Sequence, residues 1–246
     1  MDMASNTVLI TGGASGIGLA LAERFLRAGS EVIVCGRRED KLREAQAAHP
    51  ALHTRVCDVA RAADRVALAS WVRGASPRLN VLVNNAGIQR RLKLSDIEDW
   101  EASQQEIAIN LEAPIHLSAL LVPHLLQQPR PAILNVTSGL AFAPLAFTPI
   151  YCATKAALHS FTLSLRHQLA DTALQVIEIV PPAVNTDLGG PGLHTFGVPL
   201  DEFADATVER LRQGELEIGY GTAEKARRAS RDELDEAFKR MNQQRR

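Results

Sequence analysis

The chain has 246 residues, 46% of them hydrophobic and 22% charged, a balance that suits a soluble globular protein able to bury a sizeable core. Its formal net charge of -1 excludes the strongly basic surface that nucleic-acid or polybasic membrane binding requires. The opening stretch 1–6 has no basic segment leading into an apolar one, and no run approaches the roughly 20 apolar residues of a membrane span, so the cytoplasm is the expected location.

In chain order, near-continuously apolar, β-branched runs at 7–11, 31–35, 53–56, 81–83, 132–136 and 174–180 predict strands covered on both faces. Between them, 17–28, 38–48, 62–73, 98–126 and 150–170 carry helical periodicity, the fourth broken near Pro114. Such alternation predicts a parallel sheet with right-handed crossovers and helices on both faces, a doubly wound α/β fold in a single domain over 1–246. The region 182–200 mixes Gly189, Gly190, Gly192 and Gly197 with Leu193, Phe196 and Val198, which suits a mobile, partly apolar flap. The charged tail 221–246 reads as a solvated surface helix or a partly disordered end. Cys35, Cys57 and Cys152 form neither a disulfide framework nor a metal-ligand spacing; they read as reduced, small hydrophobes, and no metal is expected.

The first strand runs straight into Thr11-Gly12-Gly13-Ala14-Ser15-Gly16-Ile17-Gly18 and then a helix. Glycines there permit a tight turn and close backbone approach to a pyrophosphate, which the unpaired N–H groups and dipole of a helix N-terminus attract. A strand-to-helix turn of purely structural purpose would also account for glycines alone, so their place in the βαβ order is what gives them weight. The second strand ends Cys35-Gly36-Arg37-Arg38 with no acid at its tip. A carboxylate there would repel the 2′-phosphate of NADP, whereas a guanidinium binds it through charge-assisted hydrogen bonds, so NADP(H) is expected over NAD(H). Asp58, after the third strand, is a candidate for the adenine end.

Tyr151 and Lys155 stand four apart at the start of a predicted helix and share a face. A neighbouring ammonium favours the phenolate, bringing a phenol toward a pKa useful for acid/base work on a carbonyl or alcohol oxygen. Ser138 follows the fifth strand at the carboxyl edge where open α/β sheets bind ligands, and could hold the substrate oxygen beside that phenol; a bare serine there is otherwise a cap. The fourth strand ends at the same edge in Asn84-Asn85-Ala86-Gly87.

The glycine loop 11–18, Asn84 to Gly87, Asn110 within Ile-Asn-Leu, Ser138 and Tyr151-Cys-Ala-Thr-Lys155 together resemble the short-chain dehydrogenase/reductase family over about 7–190. That resemblance implies a Rossmann-type dinucleotide fold, with Tyr151 as acid/base and Lys155 on the nicotinamide ribose. It implies Ser138 on the substrate and Asn110 holding a relay water. For the cofactor it implies Gly12, Ser15, Gly16, Ile17, Gly18, Arg37, Arg38, Asp58, Val59, Asn84, Ala86, Gly87, Tyr151, Lys155, Val184 and Thr186. It also implies a homodimer or homotetramer built through the helices at about 98–126 and 151–170. The chain departs from the pattern at Pro182, where the family commonly has glycine, and at Gly139, where a second hydroxyl residue often stands; the glycine loop also lacks a basic residue.

The run 140–147 and the flap's Leu193 and Phe196 could wall a pocket for a small, largely apolar carbonyl or alcohol, or could face the core or a second subunit. Arg90 and Arg91 could meet an acidic substrate or a carrier, or lie on the surface. A carrier- or CoA-linked 3-oxoacyl reductase remains an alternative within the class. A non-catalytic NADP-binding sensor would share the loop but has no need of Tyr151, Lys155 and Ser138 together. An epimerase or dehydratase would need a further acid/base group, for which only His194 offers itself.

Overall fold

The computed structural model describes residues 1–96 and 100–243. Seven strands lie in one all-parallel sheet: β1 (Thr7–Thr11), β2 (Glu31–Gly36), β3 (Leu52–Val56), β4 (Val81–Asn84), β5 (Ala132–Val136), β6 (Gln175–Val180) and β7 (Glu217–Gly219). Six of these match the predicted runs to within a residue at either end. The seventh was not predicted, because three residues carry no readable period and its place depends on pairing with β6.

The order across the sheet is β3-β2-β1-β4-β5-β6-β7. The chain winds outward from β1 one way, then returns to β4 and winds the other way, so the crevice opens where β1 and β4 lie side by side. Helices α1 (Gly16–Arg27), α2 (Glu39–Ala48), α3 (Ala62–Ala75), α4 (Trp100–Ile107), α5 (Ala113–Leu125) and α6 (Pro149–Gln168) alternate with the strands, followed by α7 (Leu200–Arg212), α8 (Gly221–Arg228) and α9 (Arg231–Gln243). Two apolar clusters form, one on each sheet face: Val8, Ile10, Phe25 and Phe203 on the first, Leu9, Leu82, Leu117 and Leu121 on the second. Alternate residues of β1 thus enter opposite cores, the burial on both faces that its unbroken apolar run anticipates.

The predicted helix 98–126 begins at residues outside those described; its described part is α4 and α5 with a π-helical turn, Ala108–Glu112, between them. The break falls just ahead of Pro114, which has no N–H to give the Asn110 carbonyl four residues back. The tail is not a loose end: α8 packs against β7 and the turn after β5, and α9 follows it through Gln243, while 244–246 lie outside the described residues. Among the described residues no helix is long and apolar enough to cross a membrane.

Candidate active site

A cavity of about 2480 Å³ runs along the carboxyl edge of the sheet, larger than a single small ligand needs and roomy enough for a dinucleotide beside a second molecule. Gly12, Ser15, Gly16, Ile17, Arg37, Arg38, Val59, Ala86, Gly87, Ser138, Tyr151, Lys155, Val184 and Thr186 all reach its wall, so most of the residues singled out in the sequence converge there.

At the glycine loop, Gly12 turns with φ +64°, and a Cβ on it would lie 2.8 Å from the Ala86 Cα. Gly16 has φ +54° and faces Thr186 across the cavity, 3.5 Å from where its Cβ would be. Only glycine occupies that backbone region without strain. The first turn of α1 carries no acidic side chain, and its N-cap, Ser15, makes no capping hydrogen bond, so its N–H donors are left for a ligand. Arg38 donates to the Ser15 hydroxyl at 3.1 Å, which sets a guanidinium beside the loop, as a 2′-phosphate would require. These features fit a nicotinamide dinucleotide.

Four of the expected cofactor or catalytic residues stand behind the wall. Gly18 lets α1 approach Asn85, whose amide nitrogen would lie 2.4 Å from a Cβ there. Asp58 turns back to accept from the Ala60 N–H at 3.1 Å. Asn84 points into the sheet, donating to Asn135 at 2.9 Å and Ser118 at 3.2 Å, so it braces the sheet and does not reach the cavity wall. Asn110, fully buried, has its amide engaged with both backbone groups of Ile88 and with Thr154. The residue that ties the fourth strand to the glycine loop is instead Asn85, whose amide donates to the Thr11 and Gly12 carbonyls at 2.9 and 3.2 Å. Thr11 completes the joint by accepting from the Asn85 and Ala86 N–H groups. An Asn-Asn pair does not reveal which member faces the core.

On the opposite wall, Ser138 ends β5 and caps the short turn after it, accepting from the Leu140 N–H at 3.1 Å. Tyr151 and Lys155 occupy the first turns of α6, both buried. The Lys155 ammonium donates to the Val136 carbonyl at 2.7 Å and lies 5.7 Å from the Tyr151 ring centre. Burial pushes the Tyr151 phenol well above its ordinary range, with a hydrogen bond to Ser138 opposing it. The direction expected from the sequence was downward; here desolvation of the phenolate is the largest influence, and the ammonium is held by a backbone carbonyl. Burial likewise lowers Lys155 to about 8. Nearby, Glu106 of α4 is 1% exposed, accepts from the Arg90 N–H at 3.3 Å, and is raised by burial to about 7.

The tail supplies wall that the sequence did not suggest. Ala223 of α8 packs on Gly139, where an added Cβ would fall 3.0 Å from the Ala223 Cβ, so the absent second hydroxyl residue is explained by a helix occupying its space. Asn242 of α9 grips the loop between Ser138 and Tyr151 through the Ala146 N–H at 2.7 Å and the Pro144 carbonyl at 3.1 Å. At the other departure, Pro182, the chain continues through Val184, which bridges to Val198 and closes the base of the flap.

A family model described as short chain dehydrogenase matches residues 6–193. The chain is 50% identical to the uncharacterized oxidoreductase DltE of Bacillus subtilis (strain 168), over 99% of both proteins. A short chain dehydrogenase from Burkholderia cenocepacia J2315 in complex with NADP superposes with a TM-score of 0.84 at 25% identity, over 97% of this chain and 99% of that one. A short chain dehydrogenase/reductase from Burkholderia phymatum in complex with NAD, 21% identical, shares the fold with a TM-score of 0.80 over 89% of this chain and 90% of that one. With half its residues shared with an oxidoreductase over nearly its whole length, and a glycine loop facing a Tyr–Lys helix, the chain belongs to the short-chain dehydrogenase/reductase family of oxidoreductases.

Proposed function

We propose that this protein is an NADP(H)-dependent oxidoreductase interconverting the carbonyl and alcohol of a small, largely apolar substrate, with Tyr151 as general acid/base. The observation that carries this reading is that Ser138, Tyr151 and Lys155 share one cavity with the glycine loop, Arg37 and Arg38. When bound, the dinucleotide supplies or accepts the hydride. The chain's own residues do the rest. Ser138 orients the substrate oxygen, and Tyr151 Oη gives that oxygen its proton in reduction or removes it in oxidation. A phenol raised by burial is fully protonated at neutral pH, the form that reduction needs. Lys155 holds the nicotinamide ribose and replaces the Tyr151 proton. Asn110, whose carbonyl loses its α-helical partner to Pro114, anchors the relay water behind Lys155. Arg37 and Arg38 select the 2′-phosphate.

The chain acts as a single domain in which 182–200 is a flap over the substrate. It works as a cytoplasmic homodimer or homotetramer joined through α4, α5 and α6, which leave Trp100 and Leu163 exposed at 51% and 41%.

The test is NADPH oxidation against a panel of carbonyls, with NADH alongside and Tyr151→Phe as control. The variant should lose about 10²- to 10⁴-fold in kcat while binding NADPH within about twofold of the parent. Full activity in Tyr151→Phe would remove the phenol from the reaction.

A further inference from the structure

We propose that the substrate end of this cavity is built for a carboxylate: Arg91 and His194 form an anion-binding subsite, and the substrate is a largely apolar oxo acid. This deepens the carbonyl-reducing reading and rests on it.

Arg91 follows β4 and lines the cavity, its guanidinium seated 5.1 Å over the Phe147 ring. Among the described residues no carboxylate pairs with it. Its neighbour Arg90 has a structural task, donating to the Ala102 carbonyl and to Gln105. The acids on the same wall are mostly engaged elsewhere: Glu224 with Arg210, Arg227 and Arg228, Glu233 with Ser230, and Glu236 with Lys239. Asp187 and Asp232 are exposed and make no ion pair with Arg91.

The flap delivers the second group. Gly189 and Gly190 turn with φ +78° and +143°, and a Cβ on Gly189 would lie 3.1 Å from the Gln89 carbonyl, so the flap is seated against the segment that carries Arg91. His194 of that flap lines the cavity with a buried Nδ1 that has no hydrogen-bond partner. Burial lowers its imidazole against a hydrogen bond with the Leu188 backbone, and the Arg91 charge lowers it further. An exposed cation that pairs with no carboxylate among the described residues and a buried Nδ1 without a hydrogen-bond partner line one cavity, and a single anion serves both: the guanidinium offers its N–H fork, and the imidazole gains a proton and donates. Leu145, Phe147, Leu193 and Phe196 line the same end and would hold an apolar body.

The experiment measures binding of para-acetylbenzoate and of its methyl ester to the protein–NADP⁺ complex by calorimetry, with NADPH turnover recorded in parallel. The acid should bind about tenfold or more tightly than the ester, and Arg91→Gln should abolish that preference. His194→Ala should reduce it, and each variant should bind NADP⁺ within about twofold of the parent, which checks its fold. Equal binding of acid and ester, no binding of the acid, or a preference that survives Arg91→Gln overturns the subsite. An acid bound with the expected preference but never reduced supports the subsite and counts against carbonyl reduction alone.

Discussion

Burial acts on Tyr151 and Lys155 as on any ionisable group, penalising the charged form of each, so the phenol is driven up and the ammonium down. An ammonium near 8 keeps much of its charge at neutral pH, and its donor reaches the Val136 carbonyl rather than the phenol. The Tyr-x-x-x-Lys spacing could be read from the sequence because one helical turn puts both side chains on one face; the sign of the phenol's shift could not, because desolvation depends on α6 lying against the sheet. Specificity for the cofactor is also a matter of single residues. Arg38→Glu places a carboxylate where a 2′-phosphate is expected, and the loss of a charged hydrogen bond, worth about 1.5–3 kcal/mol, should raise the NADPH KM about 10- to 150-fold while NADH is far less affected. Equal losses with both cofactors would refute that assignment. Glu106 gives a pH prediction with a defined sign. Its native carboxyl keeps a proton to about 7, above the ordinary carboxylate range, so the native state binds more protons than the unfolded chain between those values and stability falls as pH rises through them. Glu106→Gln should therefore raise the melting temperature at pH about 8 and leave it nearly unchanged at pH about 4; a uniform shift at both would point to packing instead.

Among the elements, the π turn at Ala108–Glu112 shows how far local chemistry reaches: Pro114 foretold a break, and the break takes the form of a widened turn lying against α6, with α4 packed on α6 and α5 on α3. The tail is the converse. Its alternating charges read as a solvated helix, yet α9, which buries none of its residues, is tied by Asn242 to the loop between Ser138 and Tyr151. Asn242→Ala removes both grips on that loop and should raise the KM for carbonyl substrate several-fold, while costing only about 1 kcal/mol of stability and leaving NADPH binding alone. Steady-state kinetics beside thermal melts would separate these effects, and an unchanged KM would show that α9 merely rests there.

For the whole molecule, the sheet order places β1 beside β4 and so brings the glycine loop, Asn85 and Ser138 to one edge although they are far apart in the chain. Assembly belongs to this scale too. Sedimentation equilibrium at micromolar concentration should show a dimer or tetramer, and a lone 26.7 kDa species would refute it. By itself the sequence determined the six longer strands, the alternation that makes them parallel, the glycine loop and the Tyr–Lys pair, because periodicity, turn chemistry and one-turn spacing are local properties. Only the tertiary structure decided that β7 closes the sheet, that Asn84 faces inward while Asn85 holds the loop, that the tail walls the cavity and that Arg91 and His194 line the same cavity. Those outcomes depend on contacts between distant segments and on what burial does to charge, and neither is written in any short stretch of residues.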